Sequence, residues 1–105
     1  MMLTINGEIW TIVFVDSTHE KLVKPDGSVT VGTCHRPSNT IYLSKELKGN
    51  ALRKVLRHEI AHAVMRSYEL ELTYVEEELV AGVIDVFGDE VIALTDNVYE
   101  LIKGR

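Results

Sequence analysis

A chain of 105 residues that is 46% hydrophobic and 26% charged has the composition of one small globular domain, here 1–105, with enough apolar material for a modest core. Its net charge of -5 disfavours a general nucleic-acid surface or an anionic membrane as partner. No apolar run approaches a membrane span, the first residues lack a signal-peptide pattern, and Cys34 stands alone, which fits a reducing cytoplasm.

In chain order, Leu3 to Asn6 reads as a short strand that turns at the hairpin dipeptide Asn6-Gly7. Glu8 to Val15 is rich in β-branched and aromatic residues and reads as a longer strand. Asp16 to Glu20 is polar and reads as a loop, and Pro25-Asp26-Gly27-Ser28 is a turn. Val29 to His35 and Thr40 to Ser44 read as two further strands around the turn Arg36-Pro37-Ser38-Asn39. The expected fold is therefore α+β: a small antiparallel sheet of three to four strands packed against the helices that follow. His19 and His35 sit in polar settings that suit loop or surface roles. Cys34 reads as a small buried hydrophobe. The strand Ile41-Tyr42-Leu43 precedes the next helix directly. As a core strand it would only pack; as the sheet's edge it would offer unpaired backbone groups to an extended peptide.

The helix that follows carries the chemistry. From Ala51 to Arg66 the chain has no Pro or Gly and is rich in good helix formers, with Asn50 placed to cap it. Within it stands His58-Glu59-Ile60-Ala61-His62, an HExxH pattern. Residues four apart on a helix share a face, so both imidazoles can reach one metal ion. Glu59 points to the side of that pair, where a carboxylate can meet a metal-bound water without being a ligand. The pattern is short, so its context decides. The helix is apolar on most sides, and two histidines and a glutamate buried on it need partners.

Ser67 to Leu72 breaks the helical pattern. Thr73 and Glu76 then form a capping box that opens a second helix through Phe87, with Gly88 as stop and Asp89 to Lys103 as a last helix or broken pair ended by Gly104. Zinc needs a third protein ligand. Glu69 is seven residues past His62, about 10 Å along the axis, which is too far. The run Glu76-Glu77-Glu78 is nearer. Taking Val80, Ile84 and Phe87 as the buried face, Glu77 points inward and is the first choice, with Glu76 and Glu78 behind it.

These residues resemble the small gluzincins of the IrrE/ImmA type, and closely the minimal zincin-like metallopeptidases of phage or bacterial origin. The resemblance rests on His58-Glu59-Ile60-Ala61-His62, on Glu77-Glu78-Leu79-Val80-Ala81 opening the next helix, and on the strand before the active helix, and it covers roughly Val29 to Ile102. It implies Zn²⁺ held by His58, His62 and Glu77, and Glu59 as the base that activates water for hydrolysis of a peptide bond. A zinc-bound water has a pKa of about 7, which suits that role. Tyr68, Tyr74 and Tyr99 are candidates to steady an oxyanion, and none is assigned. The rival expectation is a non-catalytic module in which zinc staples a small core and the surface binds a protein partner.

Overall fold

A computed structural model describes residues 1–69 and 72–104; the side chains of Tyr74, Val86 and Phe87 lie outside the described set. Four strands, β1 (Met2–Ile5), β2 (Glu8–Val15), β3 (Gly32–His35) and β4 (Thr40–Ser44), are followed by helices α1 (Gly49–Ser67), α2 (Tyr74–Phe87) and α3 (Asp89–Ile102).

The sheet is mixed, not antiparallel as expected. Its order is β1-β2-β4-β3: β1–β2 and β3–β4 are antiparallel, while β2 and β4 run parallel. The residues after Val15 pass through a 3-10 turn at Glu20–Leu22 and deliver β3 beyond the place that β4 will take. The two most apolar strands thereby occupy the middle. Trp10, Ile12, Ile41 and Leu43 are all buried there. Burying each such side chain is worth about 1.5–3 kcal/mol.

This order corrects the reading of Ile41, Tyr42 and Leu43 as an edge. Both sides of β4 are paired, so it has no free edge to offer. The edge beside α1 is β3. It is shorter than the expected Val29–His35 because Val29 pairs only in an isolated bridge with Val23.

α1 lies across the sheet and buries Leu52, Leu56, Ile60, Ala61 and Ala63. It begins at Gly49 with Lys48 as its cap, so Asn50 is inside the helix rather than capping it. Gly49 has φ +52, the left-handed region where glycine is free of Cβ strain, and this turns the chain into α1. At the far end, the Trp10 indole N–H donates to Ser67 Oγ at 2.7 Å and ties α1 to the centre of the sheet. α3 packs on α1 through Val91, Thr95, Val98 and Ile102, spaced four, three and four along one face. The capping box is present at the start of α2, with Thr73 Oγ1 accepting from Glu76 N–H and Glu76 accepting from Thr73 N–H. Gly88 ends α2 and caps α3. No helix among the described residues is long and apolar enough to cross a membrane.

Candidate metal centre

The two histidines of α1 lie one turn apart with ring centroids 4.9 Å from each other. Each uses its two nitrogens differently. His58 Nδ1 is 3.0 Å from Asp85 Oδ2, and His62 Nδ1 is 2.8 Å from Glu77 Oε1. Both Nε2 atoms face Glu78, at 3.5 Å for His58 and 3.0 Å for His62. His58, His62 and Glu78 thus form a group that could hold a metal ion, with ligand atoms all within 4.8 Å of one another. Two atoms bound at 2.0–2.1 Å to a tetrahedral ion stand about 3.3 Å apart, so the spacing of this group suits an ion in its middle. A carboxylate behind each Nδ1 would favour the tautomer that leaves the Nε2 lone pair free for such an ion.

The third member is Glu78, not the expected Glu77. Glu77 does face inward, but its carboxylate meets the nitrogen of His62 that points away from the ion site. The register of α2 explains the exchange. Its deepest residue is Ala81, fully buried, whereas Val80 and Ile84 are half-buried and the Phe87 side chain is outside the described residues. The small Ala81 lets α2 approach α1 closely, and Glu78 and Asp85, three before it and four after it, then reach the two histidines. Asp85 had no place in the sequence reading. The signal that could have found it is Glu78-x-x-Ala81-x-x-x-Asp85, two acids on one helical stripe around a small residue.

Glu77 is held from a second side. Arg66 Nε donates to Glu77 Oε1 at 2.9 Å, and Arg66 Nη1 donates to the Cys34 carbonyl at 2.7 Å. Burial alone would raise the Glu77 pKa, but the hydrogen bond from His62 and the charge of Arg66 outweigh it and hold the carboxyl below its ordinary range. Burial likewise works against charge on His58, yet its bond to Asp85 and the nearby charges of Glu59 and Glu78 prevail and raise its pKa.

Glu59 is buried beside the pair, 8% exposed. Burial pushes its carboxyl above the ordinary range, with His62 and His58 pulling the other way. β3 comes close here because of Gly32. A Cβ on that residue would stand 2.6 Å from Val55 Cγ1 and 3.2 Å from Glu59 Cγ, so only glycine fits without something moving. A cavity of about 320 Å³ opens over the site, walled by β3, the segment Val23–Pro25, α1 and the start of α2.

The remaining candidates have other roles. His19 Nδ1 accepts from Lys21 N–H and caps the 3-10 turn. His35 has its Nε2 3.2 Å from the Lys21 carbonyl and stands edge-on to Tyr42. Burial pushes the Cys34 thiol up to about 12, so it is neutral at pH 7, and it is not in the metal group. Glu76 is occupied in the capping box. The chain matches no family model, no curated protein and no solved structure.

Proposed function

We propose that the protein is a zinc-dependent peptidase of the minimal zincin-like kind, with His58, His62 and Glu78 as metal ligands and Glu59 as general base. The observation that carries this reading is the shared orientation of the two imidazoles: both Nε2 atoms converge on Glu78, while both Nδ1 atoms are tied to separate carboxylates. Three mixed N/O ligands fit a catalytic Zn²⁺. The side chains of His58 and Glu78 are 31% and 39% exposed, which favours an open coordination position over a closed staple.

A Zn²⁺ held there would supply Lewis-acid polarisation of a carbonyl and a water of lowered pKa. The chain's own residues do the rest. Glu59 would accept a proton from that water and return it to the leaving amine. Glu77 and Asp85 hold the two rings in register.

An extended peptide has a place on β3. The Ser44 N–H donates to the Val31 carbonyl at 2.9 Å, so hydrogen-bonded pairing with β4 falls on Val31, Thr33 and His35. The main-chain groups of Gly32 and Cys34 therefore turn outward, and Arg66 takes the Cys34 carbonyl. Among the described residues, Gly32 N–H, Gly32 C=O and Cys34 N–H have no partner and remain for strand addition beside the cavity.

The test is Glu59→Gln. The variant should bind one zinc, as the parent does, while hydrolysis of an internally quenched peptide pool falls about 10²–10⁴-fold. A parent that takes up no zinc, or a variant that cleaves at the parent's rate, would refute the assignment.

A further inference from the structure

We propose that the cavity selects a peptide carrying a carboxylate beside the scissile bond, read by Lys24 from the loop side and Arg66 from the helix side; this rests on the peptidase reading above. The charges lining the cavity divide evenly, with Lys24, Arg36 and Arg66 against Glu59, Glu77 and Glu78. Glu77 and Glu78 are already paired with the histidines and Arg66, and Glu59 is buried beside them. A divalent cation at the centre would therefore make the cavity positive, although the chain as a whole carries -5. A cleft of one sign between low-dielectric walls concentrates ligands of the opposite sign.

Two of the three cations are placed to meet a substrate. Lys24 lies in a pinned turn: its N–H donates to the Ser28 carbonyl at 2.8 Å, and its carbonyl accepts from Gly27 N–H at 2.9 Å. The acid in that turn, Asp26, is taken up by Ser28, through Oγ at 2.6 Å and N–H at 2.9 Å. Lys24 makes no ion pair among the described residues. Arg66 is fixed by Glu77 and by Cys34, which use Nε and Nη1 and leave its Nη2 donors without a partner among the described residues. A guanidinium held in this way is preorganised for a planar carboxylate. Arg36 is not available for this, because it binds both Glu8 oxygens at 2.7 Å and the Arg66 carbonyl at 3.0 Å.

The carboxylate can belong to an Asp or Glu side chain or to a free C-terminus, which present the same group. The experiment uses zinc-loaded protein and alanine-rich octapeptides amidated at the C-terminus, with Asp, Ala or Lys scanned along the chain, plus the all-alanine peptide as a free acid. The best Asp peptide or the free acid should exceed the amidated alanine peptide about tenfold in kcat/KM, with Lys peptides below it. Which of the two gains identifies the source of the carboxylate. Lys24→Glu should reverse the order of Asp and Lys. The same peptides are titrated by fluorescence anisotropy against zinc-loaded Glu59→Gln, alone and combined with Lys24→Glu. If none is cleaved but carboxylate peptides still bind best and lose that preference in Lys24→Glu, hydrolysis fails and the selectivity stands. Equal binding of the Asp, Ala and Lys peptides, an order unchanged by Lys24→Glu, or no binding of any peptide overturns it.

Discussion

The two histidines of the site are held by arms of unequal depth. His62 is 7% exposed, and behind it Glu77, Arg66 and the Cys34 carbonyl form a chain of hydrogen bonds that ends on the edge strand of the sheet. His58 is 31% exposed, and behind its Nδ1 stands Asp85, with no further partner for that acid among the described residues. The difference teaches how a small domain can shape a group able to hold a metal ion. His62, through Glu77 and Arg66, is tied to α2 and to β3. The Nδ1 side of His58 is held by Asp85 alone among the described residues, nearer the solvent. Preorganising one arm lowers the ordering cost of binding without closing the site.

That contrast can be broken most directly at the two carboxylates. Glu77→Ala should weaken zinc binding about 100-fold and Asp85→Ala about tenfold, measured by competition with a chromophoric chelator. Glu77→Ala should also lower unfolding stability by about 1–3 kcal/mol, since it leaves the partly buried Arg66 without its acid. Asp85→Ala should leave thermal unfolding nearly unchanged at about pH 8 or above and cost stability only at lower pH. Equal losses from the two variants would erase the distinction between the arms.

A smaller effect sharpens the role of Glu59, which lies between the arms. Its pKa is raised in the folded chain, so ionising it costs stability above the ordinary value of 4.5. Metal-free Glu59→Gln should therefore unfold at a higher temperature than the parent at pH 7, with the gap closing as pH falls towards that ordinary value. A variant no more stable at pH 7 would show that the buried carboxylate carries no such cost.

The smallest effect concerns the open arm. Because the His58 pKa is raised, its protonated form adds stability to the metal-free protein below the ordinary value of 6.5, and this is lost as pH rises through the higher folded value. Asp85→Asn should lower the His58 titration followed by NMR and narrow that window. A His58 titration unmoved by the change would remove Asp85 as the cause.

Much of the scaffold could be read locally. The hairpin at Asn6-Gly7, the strands Glu8–Val15 and Thr40–Ser44, the capping box of Thr73 and Glu76, and the stop at Gly88 depend on nearest neighbours in the chain. The parallel pairing of β2 with β4 was not legible, because the link from Val15 to Gly32 is long enough to reach either side of the sheet. The choice among Glu76, Glu77 and Glu78 was not legible either. Apolar periodicity pointed to Val80 and Ile84, but the buried position of α2 among the described residues is Ala81.

The amino-acid order by itself determined that two imidazoles and a carboxylate share one turn of a helix, since a period of 3.6 residues leaves them nowhere else to go. Only tertiary structure decided which acid meets the Nε2 atoms, which acids stand behind the rings, and which strand borders the cavity. Those outcomes depend on how closely two helices approach and on where a long connection lands, and neither is written in the spacing of residues along a single element.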